Sequence, residues 1–261
     1  MRVIHSAVGI QSPSSPAPSY GIGQERGAVV TTDSLDPARI ARVVAALADG
    51  ERDPRRTLCA ASADVVGVRG AGVVLLSVHR TLGNVCVSDP VIQTVEDVQY
   101  VLGEGPCVDA FNSRTPVLVA DLAADVRWPE FRRGALAAGL QAAFGFPLLV
   151  GPSCIGALNL FNDHVGELSD EQRADALAVA HVAGRTVLGW QATAQPGSLP
   201  WQLEHVPTHR AAVHQASGMI SVQAEMSVGD AMALLRAYAF SEDRPIGEVA
   251  SDVVAGRLRF D

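Results

Sequence analysis

The sequence predicts an α+β fold: an antiparallel sheet flanked by helices over 37–192, then a small all-α module of three helices over 205–261. Three observations carry this. Within 37–192 the apolar residues switch between helical spacing and strand-like runs. The uncharged stretch 134–162 is broken near its middle by Gly151-Pro152-Ser153, the composition of a tight turn between two strands. Beyond a Pro- and Gly-containing linker over 193–204, only helical stripes remain.

Each element follows from local pattern. Residues 1–36 are rich in Ser, Pro and Gly without periodicity and read as a disordered tail. A helix over 37–49 starts on Pro37 and carries the stripe Ile40, Val43, Val44, Leu47. A second helix covers 55–66, and strands follow at 72–78 and 83–87. Helix 91–102, strand 116–119 and helix 130–140 lead to the strand pair 143–150 and 154–161. The long helix 170–191 is capped by Ser169, with Glu171 in its first turn. In the C-terminal module a helix spans 205–225. A second starts at Ser227, with Asp230 three residues on as a relative of the capping box, and carries the stripe Val228, Ala231, Met232, Leu235 and Ala239. A third starts at 245 with Ile246, Val249, Ala250, Val253, Val254 and Leu258 on one face.

Composition removes whole classes of function. Of 261 residues 48% are hydrophobic and 18% charged, enough to bury a core. All 20 basic residues are arginine, so Schiff-base and phosphate-loop lysine chemistry is excluded. A net charge of −8 argues against a long polybasic surface. The four cysteines, Cys59, Cys86, Cys107 and Cys154, lack close pairing and read as reduced, buried thiols in a cytoplasmic protein. The 29 uncharged residues of 134–162 are long enough to span a bilayer, yet Pro147, Gly151 and Pro152 would orphan backbone groups there, so no membrane span is expected. No phosphate-loop, H-E-x-x-H or G-x-S-x-G motif occurs, so no catalytic residue, metal site or cofactor is expected.

The C-terminal residues Ala216-Ser217-Gly218, Ala231-x3-Leu235-Arg236-x2-Ala239 and Ile246-x2-Val249-Ala250 resemble the ANTAR domain, a three-helix RNA-binding module of bacterial antitermination regulators. The preceding region resembles a GAF domain through Gly103-Glu104-Gly105-Pro106-Cys107, Asp121-Leu122, Trp128-Pro129-x-Phe131, Pro147-Leu148 and Gly156-Ala157-Leu158-Asn159-Leu160. The resemblance implies a sensor domain for a small ligand or signalling protein, with Cys107, Asp109, Trp128, Phe131, Phe146 and Asn159 lining its pocket. It implies a partner in structured RNA, the hairpins of mRNA leaders. Arg210, His214, Gln215, Ser217 and Gly218 along the first helix would make the RNA contacts, with Arg236 and Arg244 as phosphate contacts. The same helical strip also reads as an ordinary solvated face.

Ser217 stands where such modules usually carry a lysine, and residues 206–261 hold five arginines against seven acids. The alternative is therefore a sensor and dimerisation protein whose module no longer binds RNA. Val206, Val213 and Ile220 recur every seven residues, as a homodimer seam or as ordinary core between the three helices.

Overall fold

The computed structural model describes residues 2–4, 36–48, 54–77, 80–192, 208–242, 244 and 246–260. In chain order the elements are β1 (Arg2–Ile4), α1 (Pro37–Ala48), α2 (Pro54–Val66), β2 (Gly70–Ser77), β3 (Arg80–Val87), α3 (Pro90–Leu102), α4 (Pro106–Ser113) and β4 (Val117–Val119). There follow α5 (Pro129–Ala137), β5 (Ala142–Val150), β6 (Ser153–Asn162), α6 (Asp170–Ala192), α7 (Thr208–Gln223), α8 (Val228–Ser241), α9 (Ile246–Val254) and β7 (Leu258–Phe260). Two compact units result, Thr32–Val206 and Pro207–Asp261, the second joined by Met1–Thr31.

Proline opens α1 to α5, since its fixed φ suits the first helical turn and its missing N–H is not needed there. The Asp89 carboxylate caps α3 by accepting from the Val91 and Ile92 amides at 2.8 and 3.2 Å. At α6 the Ser169 hydroxyl accepts from the Gln172 amide at 3.2 Å and the Gln172 side chain accepts from the Ser169 amide at 3.0 Å, a complete capping box. The sequence reading contained no helix at 106–113; α4 forms there because Gly105, at φ 129, turns the chain into Pro106.

The larger unit is built on a five-stranded antiparallel sheet of order β3-β2-β6-β5-β4. Strand alternation sorts side chains onto two faces. Ala71, Val73, Leu75, Phe144, Phe146, Leu158 and Leu160 pack with α1, α2 and α6. Val74, Ala157, Ala143 and Phe161 lie on the face covered by α3, α4 and α5. The uncharged stretch thus ends α5 and forms the β5–β6 hairpin, which turns at Gly151 (φ 56). Among the described residues no helix is long and apolar enough to cross a membrane. Helix α1 is held to α6 by Arg39 and Arg42, both paired with the buried carboxylate of Asp175.

The expectation of four free thiols is overturned at one pair. Cys59 on α2 and Cys86 on β3 form a disulfide, with Cα atoms 5.8 Å apart, whereas Cys107 and Cys154 are thiols. The pairing is invisible in the sequence because 27 residues separate the two, and only the packing of α2 against the sheet joins them.

In the smaller unit Val213, Ala216 and Ile220 of α7 pack with Ala231, Leu235 and Ala239 of α8 and with Val249, Ala250 and Val253 of α9. Val213 and Ile220 are therefore core rather than an open seam; Val206 lies outside the described residues. The Ser227–Asp230 cap is present, with the Asp230 amide donating to the Ser227 hydroxyl at 3.1 Å. Two expectations are corrected. The third helix ends at Val254, because Gly256 at φ 70 reverses the chain into β7, which keeps Leu258 buried from a strand. The tail is not wholly irregular: Arg2–Ile4 pairs in parallel with Leu258–Phe260.

The tightest point of the sheet is Gly156 on β6, opposite Leu75, where a Cβ would overlap the Val74 carbonyl. Gly156→Ala should lower unfolding free energy by about 3 kcal/mol or more, or prevent folding, since backbone has to move; urea denaturation of the purified chain measures it.

Candidate functional site

Three residues in register cross the sheet on the α3–α4 side: Gly72 of β2, Asn159 of β6 and Gly145 of β5. With no side chain on either flank, the helices descend onto the sheet. A Cβ at Gly72 would strike the Glu96 carboxyl group, and one at Gly145 would lie 2.5 Å from the Pro106 carbonyl oxygen. Between the glycines, Asn159 Nδ2 donates to Glu96 Oε1 at 2.7 Å. One turn along α3, Gln99 Oε1 accepts from the Cys107 amide at 3.3 Å, and Gly105 must be glycine because a Cβ would lie 2.5 Å from that oxygen.

Glu96, Gln99, Asn159 and Cys107 are all at most 2% exposed, a polar group inside an apolar shell. Gln99 Nε2 and Asn159 Oδ1 have no hydrogen-bond partner among the described residues. Buried amide atoms of this kind cost stability, so they mark where a bound group with its own donor and acceptor would be accommodated. Burial pushes the Cys107 thiol well above its ordinary value and the nearby Glu96 charge adds to that, so Cys107 stays protonated and is a poor nucleophile.

At the other side of α4 the Trp128 indole hydrogen-bonds the Asp109 carboxylate, and the Arg127 guanidinium lies 4.3 Å over the Trp128 ring. Burial lifts Asp109 above the usual aspartate range against the pull of Arg127. Arg127 in turn grips Asp125, which that contact holds below its ordinary value despite burial.

Of the residues expected to line the pocket, the fold brings Cys107 and Asn159 together and joins Asp109 to Trp128. Phe131 is fully buried core, edge-on to Trp128 at 6.2 Å. Phe146 is a correction: as an even-numbered position of β5 it projects to the opposite face, among α1, α2 and α6. The reading missed Glu96 and Gln99. The signal was present, since Ile92, Val95, Glu96 and Gln99 follow i, i+3, i+4, i+7 and so place two polar groups on the buried stripe.

On the smaller unit, Gln215 is exposed and His214, Gly218 and Arg236 are half-exposed. The side chain of Arg210 lies outside the described residues. Ser217 is a correction: it is fully buried, its hydroxyl donating to the His214 carbonyl at 2.9 Å. At i+4 from Val213 and i−3 from Ile220 it belongs to the core stripe. Arg244 and Arg257 converge on opposite oxygens of Asp252 at 2.8 and 2.7 Å, which holds Asp252 below its ordinary value. Arg259, exposed on β7 between buried Leu258 and Phe260, takes no ion pair among the described residues, and strand alternation rather than helical spacing reveals it.

A family model described as GAF domain matches residues 55–187, and one described as ANTAR domain matches 201–254. No curated protein matches the chain. Among solved structures, the GAF domain of an Acinetobacter phosphoenolpyruvate-protein phosphotransferase is 15% identical, covering 59% of this chain and 94% of its own, with a TM-score of 0.46. A domain of a two-component sensor histidine kinase protein from Sinorhizobium meliloti 1021 is 16% identical, covering 55% and 94%, with a TM-score of 0.45. The free methionine-R-sulfoxide reductase from Neisseria meningitidis is 15% identical, covering 59% and 89%, at 0.45.

Two outcomes test the buried group. Asn159→Leu removes the donor to Glu96 and should cost about 2–4 kcal/mol in urea unfolding, whereas in a Glu96→Leu background the same change should cost under about 1 kcal/mol. In the native chain at pH 8, iodoacetamide should label Cys154, which is half-buried, while Cys107 reacts only after unfolding, because a thiol held this far above its ordinary value supplies almost no thiolate.

Proposed function

The chain belongs to the GAF domain family and joins that domain to an ANTAR domain, and on this premise we propose a signal-responsive, RNA-binding regulator of transcription antitermination. In this reading the GAF domain senses a small molecule or a partner protein, and the ANTAR domain binds hairpins in mRNA leaders so that a terminator cannot form. The chain is no enzyme in this reading; it works as a homodimer in the cytoplasm, where transcripts are made. The observation that carries it is the succession of the two matches, 55–187 and 201–254, in one chain.

Local chemistry supports an RNA face on α7. Among the described residues a Cβ built at Gly218 meets nothing within 4 Å, so no packing among them requires glycine there. Mid-helix glycine is about 0.5–1 kcal/mol less stable than alanine. Close approach of a nucleic-acid backbone beside exposed Gln215 and half-exposed His214 gives that glycine a use. With few cations available, binding rests on hairpin shape, stacking and base edges as well as on phosphate contacts.

A second reading, a sensor whose module does not bind RNA, is favoured by one observation: Arg244 and Arg257 are both already engaged in ion pairs with Asp252. Mobility shift of the full chain with structured leader hairpins at low salt separates the two. RNA binding is expected, with Gly218→Ala raising stability by about 0.5–1 kcal/mol while weakening the complex about fivefold or more. If Gly218→Ala stabilises the chain and leaves the RNA complex unchanged, the α7 face is not the contact; if no hairpin shifts, the second reading holds.

A further inference from the structure

We propose that the Cys59–Cys86 pair is a reversible thiol–disulfide site, and that the thiol/disulfide balance around the protein is a signal the domain senses. The inference rests on the RNA-binding reading. A protein acting on transcripts works among reducing thiol pools, where a disulfide is transient and redox-sensing rather than a permanent staple.

Three features of the structure support it. First, the domain does not need a staple: the core on that face is continuous from α2 through β2, β5 and β6 to α6, and small disulfide-dependent domains lack such a core. The other two cysteines remain thiols. Second, the bond sits at an irregular edge of the sheet. β3 is an edge strand with a single neighbour, and its register slips twice, between the partners of Val73 and Val74 and between those of Leu75 and Leu76. Cys86 borders the first slip, pairing with Val73 while Val74 pairs with Asn84. Bulged edge strands carry fewer ladder hydrogen bonds and open locally at lower cost than central strands. Third, the bond holds an element that touches the exit of the domain. Cys59 lies on α2, whose C-terminal carbonyls, Val66 and Gly67, accept from Gln172 Nε2 of α6 at 3.1 Å each. Helix α6 is the last element before the segment leading to the ANTAR domain.

The chemistry balances with a low-molecular-weight thiol as reductant. Its thiolate attacks Cys86 Sγ, the less buried sulfur (8% residue exposure against 0% for Cys59), and forms a mixed disulfide as the Cys59 thiolate leaves and takes up a proton. A second thiolate attacks the outer sulfur of that mixed disulfide. Cys86 leaves as a thiol, and the two reductant molecules depart joined by a disulfide, having given up two electrons and two protons. Oxidation by the same small disulfide reverses each step.

The full chain is equilibrated under native conditions with glutathione, from equal reduced and oxidised forms to about a thousandfold excess of reduced. Thiols are then trapped with a maleimide and counted by mass after peptide digestion, with amide exchange followed in parallel. Half-conversion of the Cys59–Cys86 pair to dithiol is expected inside that range, with exchange in 54–66 and 170–192 quickening about tenfold. Cys86→Ser should reproduce the quickened exchange without reductant; where that variant does not fold, the wild-type titration alone decides. A pair that stays oxidised throughout until the chain is denatured overturns the proposal, as does conversion that leaves exchange in 170–192 unchanged. Failure of the RNA reading looks different: both redox forms leave every hairpin unshifted while conversion still loosens α6.

Discussion

The GAF domain is organised around the absence of two side chains. Gly72 and Gly145 flank Asn159 across three adjacent strands, and this bare strip lets α3 set a carboxyl group, and α4 a backbone carbonyl, directly on the sheet. A carboxyl group at 1% exposure is tolerable only with hydrogen-bond donors, and Asn159 supplies one from the strip itself. Gln99 repeats the arrangement one turn later by steadying the first turn of α4 through the Cys107 amide. The positions of α3 and α4 therefore depend on the same few polar contacts. Apolar packing alone fixes helix position loosely, whereas a buried polar contact is met at one register or lost, so this group specifies where the helices sit.

The same physics explains what the sequence disclosed. Period decides face, so the change from helical spacing to alternation located both hairpins, and three coherent stripes located the C-terminal helices. The buried polar group was legible where its residues carried a local signal, as with Cys107 after its Gly-Pro turn and Asn159 in a strand. Phe146 was misplaced because a strand reading without parity cannot tell one face from the other. Ser217 was misplaced because a small polar residue satisfies its hydroxyl on its own helix and can then sit in a core stripe. The disulfide and the β1–β7 pairing join residues distant in the chain, and no local pattern encodes either.

Lacking lysine, the C-terminal unit sets its surface charge through a few guanidinium groups. Two of them, Arg244 before α9 and Arg257 after it, meet one carboxylate, Asp252 in the last turn of α9. Such exposed ion pairs contribute little stability, about 0–1 kcal/mol, so they are exchangeable. A phosphate offers the same paired-oxygen geometry as a carboxylate, and arginine forks bind either. With five arginines against seven acids over 206–261 the unit is net anionic, which lowers non-specific attraction to a polyanion while leaving arginines that an anionic partner of the right shape can recruit, a balance favouring discrimination over bulk affinity.

Helix α6 is where the contacts of the larger unit converge. Asp175 receives Arg39 and Arg42 from α1, Gln172 bonds the end of α2, and Ala176, Val179, Ala183 and Val187 fill the core beneath the sheet. Moving a two-state equilibrium from one extreme to the other takes about 5.5 kcal/mol of differential interaction, and effector couplings typically supply about 1–3 kcal/mol. A single contact of α6 is too small to switch the domain fully and large enough to bias it. Since α1, α2 and the sheet all bear on this one helix, biases from separate sources meet there, and they add only where the contacts are well separated. Gln172 and Asp175 lie three residues apart on α6, so the biases from α1 and α2 are coupled rather than independent. A signal that loosens α2 therefore also changes how firmly α1 is held, which gives one altered contact the effect of two.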